Sequence, residues 1–428
     1  MYDDIFNLQK RVKPGRPFSV HTKSGLCVLC RGTKMLCGKT SCPVVLRYHQ
    51  NMRVAPLIDT LNLEGSSPPS VFVGRVGYPK VSIGPLIPPV HGDTSILDTP
   101  EKWVGKSMNE IVAMRSQLVR GKYSVRVDQV ENGGRLVDIV REIAMAKNPA
   151  EVDATLFKKP RGGLVLSDAV QPHGPSAPLK SLSVDGLKID RRIDKAYSDT
   201  DLFAKDAVLT LYQNDVSVTR IQRAFSVGSF GLGDNRKFVP TRWSITAVDD
   251  TISKHMVERV KDYPWINEYR VYESWSLDNR FIVLMIPAAW SYELVEAWYP
   301  NTTWNPDGEE VAIFSSSEGY GGRSKYAEIG GCYYAARLAT SEHLEREKRQ
   351  ASIVILREAH PGYIMPVGVW NVRENVREAV RKAPRRFNTM SEALGYVQTR
   401  LDIPLSTWVA NSWMLRQRLF QRRLDDFT

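Results

Sequence analysis

The sequence predicts a mixed α/β fold of the α+β class, and three observations predict it. Short β-branched runs bounded by Gly and Pro alternate with segments whose aliphatic residues recur every three or four positions. Apolar content of 43% and charged content of 25% are ordinary for a globular chain. A length of 428 residues is enough for a large core split among two or three domains. The reading draws boundaries at 1–55, a zinc-binding segment; 56–290 and 291–404, two core regions; and 405–428, a C-terminal helix with its tail.

No uninterrupted apolar stretch is long enough to span a bilayer. The opening residues Met1, Tyr2, Asp3 and Asp4 lack the basic-then-apolar pattern of a signal peptide. The expected location is cytoplasmic, with no membrane partner. The net charge of +11 favours polyanions, of which nucleic acid is the commonest in that compartment. Basic residues cluster at 158–161, 381–386 and 416–423, although any one such run is more often a solvated face.

Four of the five cysteines, Cys27, Cys30, Cys37 and Cys42, lie close together near the N-terminus, and Cys332 stands alone. A disulfide framework would be spread through a small secreted chain. The two-residue gap lets Cys27 and Cys30 converge on one tetrahedral ion, and Cys37 with Cys42 completes the shell. Gly25, Gly32 and Gly38 supply the backbone freedom of such knuckles. Lys23, Arg31, Lys34 and Lys39 offset the thiolate charge. The expected cofactor is a structural Zn2+ ion with no open coordination position, hence no catalysis there. An iron–sulfur cluster is the main alternative, and disulfides are a third if the source is a hyperthermophile. His21 and His49 read as surface residues.

Residues 68–85 read as short strands punctuated by Gly and Pro, with Arg75 and Lys80 able to face an anion; a plain hairpin is the competing reading. Ile111, Met114 and Leu118 predict a helix ended by Gly121. Leu136, Ile139, Val140 and Ile143 predict another, ended at Asn148 and Pro149. Residues 150–190, rich in Pro, Gly and Ser, read as a long surface excursion.

Residues 230–250 form the most polar-dense stretch. Gly231 and Gly233 open a loop. Arg236, Lys237 and Arg242 crowd a segment that reads as a strand, and Asp249 and Asp250 close it. Phosphate is held by guanidinium forks and backbone N–H groups. A hard ion such as Mg2+ or Mn2+ takes carboxylate oxygens. One expectation is catalytic: Arg236, Lys237 and Arg242 hold phosphate, and Asp249 and Asp250 bind a metal that activates water for phosphoester hydrolysis. The structural alternative pairs Arg242 with an aspartate and makes Asp249 the cap of a helix beginning near Ile252. No Gly-Lys-Ser/Thr follows the glycines, so the loop is not a P-loop.

Residues 268–286 read as a hairpin turning at Asp278 and Asn279. Trp290, Trp298, Tyr299 and Trp304 could stack on bases but more often belong to a core. A second glycine loop, 315–325, follows a strand at 311–314 and precedes a helix starting near Gly330. Its backbone N–H groups, with Arg323 and Lys325, suit an anion. Cys332 reads as buried and inert. A buried strand at 352–356 and helices at 372–382, 389–401 and 406–420 complete the core. Beyond them, Gln421, Leu424 and Phe427 have the spacing of a sliding-clamp-binding peptide. One tight turn sets Leu424 and Phe427 on one side to fill an apolar pocket, with Gln421 in a polar notch. Thr428 stands where a second aromatic is usual.

Taken together, these stretches resemble the archaeal Nre family, in particular its NreA-type DNA repair proteins. The resemblance rests on the cysteine knuckle 27–42; on Gly74, Arg75, Gly77, Tyr78 and Pro79; and on the run from Pro240 to Asp249. The loop 318–325 and the terminal Gln421, Leu424 and Phe427 complete it. It covers nearly the whole chain. It implies an archaeal factor in DNA damage repair that docks on the sliding clamp PCNA, and it names no settled reaction. The leading expectation is therefore a clamp-tethered, DNA-binding repair protein, with a metal-dependent phosphatase or nuclease activity on nucleic acid or nucleotides as an open question. The rivals are a non-enzymatic adaptor between clamp and DNA and a zinc-knuckle RNA-binding protein.

Overall fold

The structure is a computed structural model that describes residues 24–420. Residues 43–252 form one compact unit; residues 24–42 and 253–420 form a second. The sequence reading drew its central line near 290; the division falls near 252.

Helix α1 (Ser24–Cys30) belongs to the second unit; the 43–252 unit opens with α2 (Pro43–Ile58) and holds a six-stranded sheet. Its strands are β1 (Asn62–Ser67), β2 (Val71–Val73), β3 (Lys80–Ile87), β4 (Val119–Arg126), β5 (Ala150–Leu156) and β6 (Ser176–Asp185), in the order β1-β5-β6-β4-β3-β2. Only β4 and β6 pair in parallel. Helices α3 (Met108–Ser116), α4 (Arg135–Met145), α5 (Arg191–Ser198), α6 (Ala204–Gln213), α7 (Val218–Ser226) and α8 (Thr241–Val260) accompany it. The stripe Val137, Val140 and Ile143 of α4 enters the same core as Ile83, Val119 and Val152, as a stripe at helical spacing must. Helix α3 begins in a capping box between Ser107 and Glu110. It stops at Ser116; Gly121, read as its terminator, lies in β4. A Cβ on Gly84 would stand 2.0 Å from the Gly121 carbonyl oxygen, so these strands approach as closely as they do only because Gly84 has none.

Two expectations are corrected here. Residues 150–190 are no surface excursion: they carry β5 and β6, which join β1 to β4 in the sheet. The stretch 241–260, read as strand, turn and then helix, is one helix of 20 residues. Ile245, Val248 and Ile252 are buried along it. Asp249 therefore sits mid-helix and caps nothing.

The second unit holds β7 (Tyr269–Ser276), β8 (Asn279–Ile286), β9 (Ser291–Trp298), β10 (Ala312–Glu318), β11 (Ser352–Ala359) and β12 (Arg385–Phe387), ordered β10-β9-β11-β8-β7-β12. β9 and β11 run parallel at its centre. Helices α9 (Gly331–Glu347) and α10 (Trp370–Arg381) share one core with Val283, Leu294 and Ile355. On alternate residues, Leu284, Val295 and Leu356 face the opposite core with α11 (Met390–Arg400), α12 (Leu405–Asn411) and α13 (Trp413–Phe420). Both faces are covered, so β9 and β11 are buried at every position, the charged Glu293, Glu296, Arg357 and Glu358 included. Trp290 and Trp298 are core residues accordingly. The β7–β8 turn uses Leu277 and Asp278 with φ of 51° and 54°, the positive pair a two-residue hairpin needs, one residue earlier than expected. The final helix is broken at Ser412, because buried Glu293 accepts the N–H groups of Trp413 and Met414 and caps α13. Gln421, Leu424 and Phe427 lie outside the described residues. Among the described residues no helix is long and apolar enough to cross a membrane.

Candidate anion-binding site

Two stretches far apart in sequence meet in the 43–252 unit: the turn 74–79 between β2 and β3, and the first turn of α8. The Val73 N–H donates to Thr241 Oγ1 at 2.9 Å, tying strand to helix. The Tyr78 ring lies 5.3 Å from that of Trp243. This brings Arg75 beside Arg242, with Asp168 facing both. Arg242 Nη2 stands 3.9 Å from Asp168 Oδ2, and both side chains are about one-third exposed. Burial pulls the Arg75 guanidinium below its ordinary value, the like charge of Arg242 adds to this, and Asp168 opposes it. Two guanidiniums facing one carboxylate leave a positive excess. The positive end of the α8 dipole adds to it. Val76 at the turn tip is 90% exposed and Tyr78 37%, so the site opens to solvent.

One face of the neighbouring sheet carries Phe72, Ser82, Arg120 and Lys122, and the Gly74 N–H donates to the Ser82 carbonyl at 2.8 Å. The Arg120 guanidinium lies 4.1 Å from the Phe72 ring centroid and donates from Nη2 to the Ser82 carbonyl at 2.9 Å. Burial alone lowers it to about 10. Lys122 is lowered by burial and then by Arg120. Across the Phe72 ring, burial pushes the His173 imidazole down to about 3, with Arg120 adding to the effect, so His173 is neutral at physiological pH. Sequence reasoning missed Arg120, Lys122 and Asp168. Arg120 and Lys122 alternate along a strand, a period that also describes any solvated edge.

The remaining candidates are placed elsewhere. Arg236 is buried and spent on carbonyl oxygens: Nε on Gly231 at 2.9 Å, Nη2 on Tyr197 at 2.7 Å. It closes a loop. Lys237 is exposed. Asp249 is fully buried and accepts from Gln222 Nε2 at 2.8 Å. Asp250 is the next residue of the helix, so the two carboxylates diverge by about 100° and do not face one ion. Arg323 donates from Nη1 to the Ser317 carbonyl at 2.6 Å and sits over the Tyr333 ring, while Lys325 is exposed. The glycine loop does join a strand to a helix, β10 to α9, as expected. Its Glu318 turns inward to Arg337 at 2.7 Å.

Cys27 and Cys30 lie one turn apart on α1, and all four N-terminal cysteines are free thiols. The backbone N–H of Leu36, followed by those of Gly32, Lys34 and Met35, holds the Cys30 thiol below its ordinary value. A ring of amides around one sulfur is the setting of a thiolate ligand. Arg31, Gly32 and Met35 take positive φ to form it. The amides suit a thiolate at Cys30, but no three of the four sulfurs lie within 4.8 Å of one another. Among the described residues, the one group of three metal-capable side chains with ligand atoms within 4.8 Å is Glu358, His360 and Asp402. There Arg280 already supplies the cation, 2.9 Å from Asp402 Oδ1 and 3.5 Å from Glu358 Oε2.

Comparison with known proteins covers almost the whole chain. Residues 36–305 match the archaeal Nre N-terminal family model, and residues 318–427 match the archaeal Nre C-terminal model. DNA repair protein NreB of Archaeoglobus fulgidus is 40% identical over 94% of this chain and 99% of its own length. DNA repair protein NreA of the same organism is 34% identical over 88% of this chain and 94% of its own. NreA of Haloferax volcanii is 34% identical over 81% and 84% respectively. No solved structure matches. On these matches the chain belongs to the archaeal Nre family.

Proposed function

We propose that this protein acts in DNA repair, holding DNA by its phosphates at Arg75 and Arg242 and tethered to the clamp PCNA through Gln421, Leu424 and Phe427. The observation that carries it is the convergence of two distant motifs into an open site with excess positive charge at a helix N-terminus. The net charge of +11 and the names of the relatives support it. The exposed Tyr78 and Val76 would meet bases beside the held backbone. Tethering raises the local concentration of protein at DNA without a strong contact of its own. The geometry favours binding over hydrolysis, since Asp249 and Asp250 diverge and Arg242 faces Asp168 instead of either.

The test measures DNA affinity across a salt series, with matched RNA as a second ligand. Arg75→Ala and Arg242→Ala are each expected to weaken DNA binding and to lower the log–log salt slope by about 1. Phe427→Ala is expected to abolish capture on PCNA and leave DNA affinity intact. Unchanged slopes in both arginine variants would sink the site; preference for RNA with no clamp capture would favour the RNA-binding rival.

The same proposal includes a structural Zn2+ held by Cys27, Cys30, Cys37 and Cys42, supported by the amides that face Cys30. Metal analysis of purified protein is expected to give one zinc per chain. Cys30→Ser is expected to lose it and to lower the thermal midpoint, because the metal's binding energy is folding energy for so short a segment. Iron in place of zinc, with visible absorbance, would identify a cluster instead.

A further inference from the structure

The basic run Lys158, Lys159 and Arg161 lies alongside strand β6. The Phe157 N–H donates to the Pro178 carbonyl at 2.9 Å, and Arg161 and Ser176 exchange N–H donations at 3.2 Å in an antiparallel bridge. On its other side β6 pairs with β4, with Pro178 opposite Lys122. Ala177 and Leu179 enter the core with Leu156. Alternation therefore turns Phe157, Pro178 and Lys122 to the opposite face of the sheet. That face is open here. Phe157 is 63% exposed, Arg161, Pro178 and Lys180 are exposed, and Lys122 is half-buried. Among the described residues no carboxylate pairs with Lys122, Arg161 or Lys180, whereas Lys159 reaches Asp59 at 3.0 Å. Behind Lys122 the buried Arg120 adds a positive charge.

We infer that this open face is a contact surface for single-stranded DNA, with a base stacked on Phe157 and Pro178 and the backbone phosphates held by Lys122, Arg161 and Lys180. The inference rests on the protein being DNA-binding, but not on the Arg75 site. A run of cations by itself is more often a solvated face. What sets this face apart is the exposed phenyl ring and proline among the cations. Basic groups around an aromatic platform are the pattern that holds unpaired bases. The strand is single because bases in a duplex stack on one another and show only their edges, whereas every unpaired base has a free π-face. Neighbouring strands lie about 4.8 Å apart, which sets Lys122 and Phe157 about 10 Å apart across Pro178. One nucleotide bridges that separation when its base lies on the ring and its phosphate meets the ammonium. The phosphates stay on the surface, so the face needs no cavity.

The experiment uses the full chain with a labelled DNA single strand and the matched duplex, read by fluorescence anisotropy. Phe157→Ala, a change at an exposed position, is expected to weaken single-strand binding about fivefold or more, the low end of what one stacked base contributes. Duplex affinity is expected to stay as it was. The combined Lys122→Gln, Arg161→Gln and Lys180→Gln variant is expected to lower the single-strand log–log salt slope by about 2. Unchanged single-strand affinity in Phe157→Ala, equal losses for strand and duplex, or an unchanged slope in the triple variant overturns the inference. Losses here with Arg75→Ala and Arg242→Ala silent would keep this face and sink the Arg75 site. The reverse pattern would keep that site and sink this face. Tighter binding of matched single-stranded RNA, lost in the same variants, overturns the commitment to DNA. If wild type binds neither nucleic acid, the proposed function and the inference fall together.

Discussion

Asp98→Ala is expected to cost the 43–252 unit at least ~3–5 kcal/mol, a large share of the ~5–15 kcal/mol that keeps a domain folded. Asp98 is 4% exposed and takes two buried guanidiniums at once. Arg115 Nη1 reaches Oδ1 at 2.6 Å and Arg223 Nη2 reaches Oδ2 at 2.5 Å. Burial lowers both arginines, and the Asp98 charge is the first influence pulling each back toward its ordinary value. Each also clamps backbone: Arg115 holds the Leu97 and Pro172 carbonyls, and Arg223 holds that of Pro69. Removing the carboxylate strands two cations where water reaches poorly. A cavity of about 20 Å³ lined by Asp98, Arg115 and Arg223 has room for about one water, too little to rehydrate them. Asp98→Asn keeps an acceptor and is expected to cost less. Urea denaturation followed by circular dichroism measures both; a loss for Asp98→Ala below ~1 kcal/mol would mean the two arginines find solvent.

The two helical stretches with strong stripes were legible because burial acts on side chains at 3.6-residue spacing; the α4 residues Val137, Val140 and Ile143 are the clear case. Elsewhere tertiary burial overrode local preference. Trp243, Ile245, Thr246 and Val248 are strand-prone types, yet α8 is helical because Ile245, Val248 and Ile252 find one core there. Strand β5 was invisible for the opposite reason. Its inward residues Ala150, Val152, Ala154 and Leu156 alternate correctly, but two are alanines, and the Pro-rich residues that follow drew the whole region into a loop. The candidate site was half legible. Arg75 and Arg242 were named on residue type and neighbouring glycines. That they share a site depends on the Val73–Thr241 hydrogen bond, which no local pattern encodes. Arg236 was misread because a cation after a glycine loop looks the same whether it serves phosphate or carbonyl oxygens. Only burial separates the two. Asp249 and Asp250 looked like a pair in sequence, and a helix turns such neighbours apart.

Glu318 is where that lesson has its largest consequence, and its replacement is expected to be as damaging to the second unit as Asp98→Ala is to the first. Loop chemistry drew attention to it as the start of an anion-binding turn. The fold makes it the buried anchor of that turn. It is 4% exposed at the end of β10. Its Oε2 accepts from Arg337 Nη1 and from the Tyr333 hydroxyl, each at 2.7 Å, and its Oε1 accepts from Trp290 Nε1 at 3.1 Å. Burial and the Glu318 charge together raise the Tyr333 phenol far above its ordinary value, so it stays a donor at any working pH. Glu318→Ala removes the buried carboxylate shared by Arg337 Nη1, the Tyr333 hydroxyl and Trp290 Nε1, for an expected loss of ~3–5 kcal/mol. Arg337→Met alone should cost a similar amount, by stranding the carboxylate. The informative variant is the double Glu318→Gln, Arg337→Met, which removes both charges and keeps an acceptor for Tyr333. Its cost should fall well below the sum of the singles, with a coupling of ~1–3 kcal/mol. Full additivity would mean that β10 and α9 are held by packing alone and that Glu318 is free to face the glycine loop. In that case the loop's backbone N–H groups, and not the Arg75 site, become the next place to look for bound phosphate.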